Sequence, residues 1–378
     1  MAGELGLVLA AATAALPPAP PIAVSTAAPA VVSGEQRLLS WHPGEVRCEG
    51  MNAPRVITLR RPLNSLAWGD RPLASATFSF AIDASGRPLS IRREGGEPGW
   101  HDELAPALAS SRFAPGGARQ RCTVSYAPRR EALNEAPRVE LASFMLHSRQ
   151  SAMPRLGLDR LREGDGCAST PGMQAIVRVY PDLKDVPPTP GVPDWTLVGF
   201  DVRPDGRPSA VRTVAGTGNA ALDAAAITAL TASRFNAGPL RKQCVLPFRH
   251  RPATLAAPPA PNIAEPANGP CARDGGWAIA PKLDYPHPYR MRAIEGWAVL
   301  DYDVASWGAI GNVRIIEAQP SEDFGISAKA KLERARRPAG PGATGCRTRV
   351  RYAMAKDGVV PGEPGVGGLE NSSEQPFR

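Results

Sequence analysis

Six cysteines have the most definite chemistry in this sequence: Cys48, Cys122, Cys167, Cys244, Cys271 and Cys346. None belongs to a Cys-x-x-Cys pair, the spacing that zinc ribbons and dithiol redox centres use to bring two sulfurs together. Taken as neighbours in order they enclose intervals of 74, 77 and 75 residues. Six cysteines admit more than a dozen connectivities, but a near-constant interval in a repeated frame singles out Cys48 with Cys122, Cys167 with Cys244, and Cys271 with Cys346. The chemistry is then structural. Closing loops of this length removes about 4 to 5 kcal/mol of chain entropy from the unfolded state, as much as a small core supplies. Such bridges persist in an oxidising compartment.

The remaining reactive residues form no constellation. His42, His101, His147, His250 and His287 match no ligand spacing, so no metal site is expected. Gly216-Thr217-Gly218 imitates the start of a dinucleotide fingerprint, but its counterpart in the repeat described below is Ala318-Gln319-Pro320, so it reads as a strand-to-helix connection. The sequence has no Gly-x-Ser-x-Gly, no phosphate-binding loop and no carboxylate pair recurring between repeats. The expectation is a protein that is not an enzyme, with no cofactor and no small-molecule substrate.

The frame that positions the cysteines is an internal repeat. At an offset of 102, Phe200, Asp201 and Val202 fall on Tyr302, Asp303 and Val304. The same offset places Gly206 on Gly308, Val211-Arg212 on Val313-Arg314, Leu222 on Phe324, Leu230 on Leu332, Arg234 on Arg336, and Cys244 on Cys346. At an offset of 120, Phe80 falls on Phe200, Gly86-Arg87-Pro88 on Gly206-Arg207-Pro208, and Ile91-Arg92 on Val211-Arg212. After a two-residue length change the offset is 122, with Ser111-Arg112-Phe113 on Ser233-Arg234-Phe235 and Cys122 on Cys244. The unit is written three times.

Each copy has the same element order. Phe78, Phe80 and Ile82 alternate with small or polar residues, as do Val198, Phe200 and Val202, and Val299 to Val304 behave alike, which is the period of a half-buried strand. Ser85-Gly86 and Asp205-Gly206 supply the positive-φ residue of a tight hairpin, and second strands run through Leu89 to Arg93, Ala210 to Val214 and Asn312 to Glu317. A helix follows, clearest where Leu222, Ala226, Ile227 and Leu230 mark one face. In the first copy Pro106 makes it short or kinked. Last strands hold the second cysteines, from Cys122 to Tyr126, Cys244 to Phe248 and Cys346 to Tyr352. The fold class is therefore α+β: three tandem small β-β-α-β domains over 44–130, 160–252 and 266–355, each a three-stranded antiparallel sheet covered by a helix. The first cysteine of each pair pins a leading segment to the last strand. An extra helix is expected around Val139 to Ser148, and residues 250–270, rich in Pro and Ala, read as a semi-rigid linker.

The charge and the ends bound the compartment and partners. A net charge of +8 comes from 38 Arg and 6 Lys against 36 acidic residues. The arginines are scattered through every segment without interleaved aromatics, so no nucleic-acid partner is expected. Residues 1–30 hold an apolar run from Leu5 to Leu16 and a small-residue stretch ending Ala28-Pro29-Ala30. That is a signal-peptide-like core, too short to span a bilayer, and membrane association follows only if the segment is retained. Residues 356–378 read as a disordered tail.

The third copy resembles the C-terminal domain of TonB-type energy transducers. The resemblance is carried by Tyr285-Pro286, Ile294-Glu295-Gly296-Trp297, Tyr302 and Val304, Gly311-Asn312-Val313-Arg314-Ile315-Ile316, then Ala318, Pro320 and Phe324. It covers about 70 residues in each copy and fades towards the first. It implies a periplasmic domain that pairs an edge strand with an extended segment of an outer-membrane receptor or another envelope protein. Strand edges carry unpaired N–H and C=O groups that such a segment can complete. The candidate binding residues are Arg347, Thr348, Arg349, Val350, Arg351 and Tyr352. A second reading stays open, in which the repeats build a structural or adaptor protein of the cell envelope.

Overall fold

The computed structural model describes residues 35–49, 54–69, 72–94, 103–147, 152–163, 167, 173–263, 271, 276–282 and 284–354. The signal-peptide-like segment and the tail lie outside them. The fold is mixed α+β, mostly strands in several small sheets, with six helices among the described residues.

The first sheet is built from β1 (Gln36–Pro43), β2 (Arg47–Cys48), β4 (Ser65–Trp68), β5 (Ala76–Ile82), β6 (Pro88–Arg93) and β8 (Arg119–Ala132), and β3 (Val56–Thr58) pairs separately with β7 (Arg112–Phe113). Its strands run in the order β4-β1-β8-β5-β6, with β2 also on β8. Helices α1 (Leu104–Ala109), α2 (Arg138–His147) and α3 (Arg155–Arg162) follow in and after this region. A small pair joins β9 (Ala175–Val177) to β12 (Arg234–Phe235). The second sheet has the order β11 (Pro208–Gly216), β10 (Asp194–Val202), β13 (Arg241–His250), with α4 (Ala220–Ala232) packed on it. After α5 (His287–Met291), the third sheet has the order β15 (Ile310–Gln319), β14 (Gly296–Val304), β16 (Ala343–Tyr352), covered by α6 (Glu322–Leu332).

The cysteine strands sit in one register on the three central strands: Phe80 faces Cys122, Phe200 faces Cys244, and Tyr302 faces Cys346. The hairpin turns are also superposable in detail. Gly86, Gly206 and Gly308 all have φ near +80°. A Cβ on any of them would lie 2.0 Å from a carbonyl oxygen, of Phe113, Phe235 and Arg337 respectively. Only glycine satisfies both demands.

Local sequence accounts for the elements. In β5 every second residue is buried, as the alternation requires. The Asn219 side chain caps α4 by accepting from the Leu222 N–H, and Ser321 caps α6, whose first turn holds Glu322 and Asp323 and whose last holds Lys329 and Lys331. Pro106 is tolerated in α1 because it falls in the first turn, where backbone N–H groups have no intrahelical partner.

Four features differ from the expectation. The first sheet has six strands instead of three, because β1, β2 and β4 continue it beyond β8. The first and third sheets share one continuous buried cluster, running from Leu39, Phe78 and Phe113 through Tyr289 and Ile294 to Leu300 and Phe324. The outer rim of β6 is taken by residues 319–322: the Ile91 N–H donates to the Pro320 carbonyl at 2.9 Å, and the Arg93 N–H to Glu322 Oε1 at 2.8 Å. The stretch after β13 is a strap and not a spacer. Ala253 bridges to Pro190 and Leu255 to Ile294, and Leu255 is buried in the shared cluster, so apolar burial overrides the Pro-rich composition. Helix α2, expected from Val139, brings Leu141, Ala142 and Phe144 into a second core with Leu38 and Leu197, filling the space between the first and second sheets.

Candidate partner-binding edge

The six residues expected to bind, Arg347 to Tyr352, all lie on β16. This strand pairs with β14 through seven consecutive residues without a break, from Tyr352 opposite Gly296 to Cys346 opposite Tyr302. The period of two puts Cys346, Thr348, Val350 and Tyr352 on the face under α6 and Arg347, Arg349 and Arg351 on the opposite face. Tyr352 is buried against Phe324, at 5.1 Å between ring centroids, and Tyr285, at 5.6 Å. Tyr285, Gly296 and Phe324 meet here. Tyr285 donates to the Ile294 carbonyl at 2.6 Å, and Gly296 lets Phe324 approach, since a Cβ there would sit 2.6 Å from its ring.

The three cysteine strands have different outer rims. On β8 the rim is filled by the chain's own leading segment: β1 pairs antiparallel from Pro43 opposite Tyr126 onwards, and β2 places Arg47 opposite Thr123 and Cys48 opposite Cys122. Between them the Gly44 N–H donates to the Ser125 carbonyl at 2.8 Å. On β13 helices α2 and α3 pack alongside, and Arg138 donates to the Gln243 carbonyl at 3.1 Å. On β16 no backbone hydrogen bond from the described residues reaches the outer rim. The strands β11 and β15 also form sheet edges, but each is broken by two register shifts against its neighbour, which twists a rim away from regular pairing. The β16 rim is thus regular and, among the described residues, receives no backbone hydrogen bond, although the disulfide from Cys271 brings the leading segment to its Cys346 end.

Because the registers coincide, β8 also shows which groups of β16 point outwards. Ser125 turns its carbonyl away from β5 to accept from Gly44, and in an antiparallel ladder alternate residues do the same. The equivalents of Thr123, Ser125 and Ala127 on β16 are Arg347, Arg349 and Arg351.

Their side chains are partly engaged. Arg347 donates twice to Asp301, at 2.6 and 2.9 Å, and that pairing holds the Asp301 carboxyl below its ordinary value. Arg349 donates to the Pro261 carbonyl at 2.8 Å, where the strap crosses this face, and Trp297 donates to Pro258 at 2.9 Å. Burial pushes the Tyr352 phenol up to about 12, so it stays neutral.

All three disulfides are formed as expected, with Cα–Cα distances of 3.9, 5.5 and 5.2 Å. They mark a chain suited to an oxidising environment. Among the described residues no helix is long and apolar enough to cross a membrane.

A polar junction was not legible in the sequence. Arg292, almost wholly buried, donates to Glu103 at 2.8 Å, and Arg60 donates to the Thr217 carbonyl at 3.0 Å. Thr217 in turn donates to the buried Asp194 at 2.8 Å. These bonds join residues of the first sheet's loops to those of the second and third. No spacing announces them, because the partners are separated by up to 189 residues.

No family model matches the chain, and no curated protein is detectably similar to it.

Proposed function

We propose that the chain is three diverged copies of a TonB-like C-terminal unit, forming a non-enzymatic periplasmic protein that binds extended partner segments at the β16 rim. Its setting would be TonB-dependent transport across the outer membrane, with a receptor segment as guest. The observation carrying this reading is the contrast between equivalent rims. The β8 rim holds an extended segment of the chain itself, while the β16 rim, in the same register, holds none among the described residues. A filled rim in one copy is a working example of the contact proposed for another.

The test is amide hydrogen exchange of the full chain, alone and with a peptide from the plug region of an outer-membrane receptor. Outward amides of Arg347 to Arg351 exchange fast in the free protein and slow on binding. Arg349→Pro removes one rim donor at an edge position that tolerates proline, and binding is lost. Arg349→Ala retains it. N-methylation of alternate peptide amides removes binding with the protein unchanged. Slow exchange of these amides in the free protein, or no protection by any receptor peptide, overturns the reading.

A second reading is favoured by the shared core of the first and third sheets. A rigid body of this kind suits an envelope adaptor without energy transduction, and it predicts no peptide protection at β16.

A further inference from the structure

We infer that the hairpin tip of the third sheet is a binding site for a guanidinium group, and that its ligand is an arginine side chain of another protein. The site lies at the end of β14 away from Gly296 and Tyr352 and does not depend on edge pairing.

It is a cleft of about 710 Å³ between the β14–β15 turn and the loop that leads into β16, with Asp303, Ser306, Trp307, Asn312, Ala343 and Thr344 among its walls. The equivalent places in the other copies show why it is open. The three turns are closed alike, since the Gly116, Gly238 and Gly340 N–H groups donate to the Ala84, Pro204 and Ser306 carbonyls at 3.0, 3.1 and 2.9 Å. In this common frame Ile82 faces Arg119, Val202 faces Arg241, and Val304 faces Ala343. Arg241 is 2% exposed and donates to the Asn236 carbonyl at 3.0 Å, and a Cβ on Gly238 would lie 3.0 Å from its Nη2. In the third copy that arginine is replaced by alanine. A Cβ on Gly340 would meet nothing within 4 Å, and the counterpart of the Asn236 carbonyl, that of Pro338, accepts no backbone hydrogen bond from the described residues. Ala343 thus leaves a space that the second copy fills with its own guanidinium, and a guanidinium from outside has the shape and the donors to fill it.

Two further features suit the cleft to a cation. The turn residue is Ser85 in the first copy and Asp205 in the second, whereas here it is Trp307, 69% exposed, so its indole does little for the core. An indole ring attracts a guanidinium through its π face. Asp303 is the one titratable group among the described lining residues. Bonds from Asn312 Nδ2 at 2.7 Å and from the Gly345 N–H at 2.8 Å hold its carboxyl below the ordinary value, so the cleft carries negative charge. These two bonds leave the carboxylate further acceptor positions. Arg314 bears on the same carboxylate from β15, so charge alone does not hold the ligand, and the indole and the Pro338 carbonyl supply the rest.

The test is calorimetric titration of the full chain with end-blocked tripeptides that carry arginine, its neutral isostere citrulline, or lysine between two glycines. The arginine peptide binds about tenfold tighter than the citrulline one, which lacks the charged donors, and tighter than the lysine one, whose ammonium lacks the planar fork and does not stack. Trp307→Ala weakens it about three- to fivefold, and Asp303→Asn removes most of the preference for arginine over citrulline. Ala343→Arg, which restores the residue of the second copy, abolishes binding while the melting temperature does not fall. Trp307 lies at an exposed tip, so its variant decides the matter even where Ala343→Arg fails to fold. Equal binding of the arginine and citrulline peptides, binding that survives Ala343→Arg in a folded chain, or full affinity in Trp307→Ala overturns the inference. Free L-arginine, whose carboxylate Asp303 repels, binds more weakly than the blocked peptide; tighter binding makes the ligand the amino acid and overturns a protein partner. Binding that appears only in Arg273→Gln puts an arginine of this chain in the cleft, and self-association that Ala343→Arg abolishes puts a second copy there. Either result overturns the assignment to another protein, as does binding of no peptide to any variant.

Discussion

The Arg292 guanidinium donates to the Glu103 carboxylate at 2.8 Å across 189 residues of chain, with the arginine side chain only 2% exposed. The same guanidinium lies 3.5 Å from Ser110 Oγ and 3.5 Å from the Arg61 carbonyl. It thus joins the loop before β14 to the helix of the first sheet, beside the core that the two sheets share. Taking either partner away leaves a buried charge without compensation.

Arg292→Met is therefore expected to destabilise the chain by about 3 to 5 kcal/mol, since breaking a buried pair costs more than replacing it. Replacing both residues, in R292M/E103L, recovers most of that loss. Urea unfolding at neutral pH measures both variants. A single-variant loss under about 1 kcal/mol would mean that the junction is solvated and does not couple the sheets.

The hairpin glycines give a second expectation. Gly206 has φ +80°, and a Cβ there would lie 2.0 Å from the Phe235 carbonyl oxygen. Gly206→Ala meets both the left-handed backbone penalty, about 1 to 2 kcal/mol, and a clash with a carbonyl that cannot yield, because the Phe235 N–H is bonded to the Gly206 carbonyl at 2.9 Å. The variant loses at least about 2 kcal/mol in denaturant titration, and Gly218→Ala, with open space around it, loses less.

These turns also show what the sequence made legible. Local signals were enough for the hairpins, for α4 and for the cysteine strands, because each depends on a short pattern: alternation around Phe80 or Phe200, a glycine four residues beyond Val202, a helix face from Leu222 to Leu230. The β16 residues were named from the same frame. What composition concealed is long-range. Val56 to Thr58 and Ala175 to Val177 are short exposed strands whose partners, Arg112-Phe113 and Arg234-Phe235, lie more than fifty residues on. Leu255 reads as part of a Pro-Ala linker and is instead pinned by the Ala293 carbonyl and the Glu295 N–H. That β8 is paired on both rims, while β16 is paired among the described residues only with β14, is likewise a property of pairing, which no single segment encodes.

The disulfides give a third expectation. Cys167 and Cys244 close a loop of 77 residues around the second sheet, whose own buried cluster is small among the described residues, built on Val198, Phe200, Val202, Leu230 and Phe248. C167A/C244A is expected to lose about 4 kcal/mol, the chain entropy returned to the unfolded state. Its unfolding should begin in the second sheet, so hydrogen exchange quickens first in β10 and β13 while β5 and β14 stay protected. Uniform quickening across all sheets would mean that the second sheet unfolds only together with the others.

The attachment of α2 gives a dependence on pH. Arg61 donates to both Glu140 oxygens, at 2.8 and 3.1 Å, and Asn64 donates to Oε2 at 2.7 Å. Burial works to raise the Glu140 carboxyl, but these bonds outweigh it and hold the group below its ordinary value of 4.5. A carboxyl depressed in the folded state releases its proton more readily there than in the unfolded chain, so the unfolded chain binds more protons as pH falls. The stabilisation is complete above the unfolded value and is lost as pH drops through the folded one. Arg61 is more than one-third exposed, so solvent screening limits the contribution to about 1 kcal/mol. Glu140→Gln should therefore be less stable than the wild type by about that amount at pH 7, with the two curves converging below pH 4.5. Urea midpoints taken at half-unit steps of pH decide it. A gap that stays constant into acid would mean that the Glu140 charge contributes nothing and that shape alone holds α2 against the Arg61–Asn64 loop.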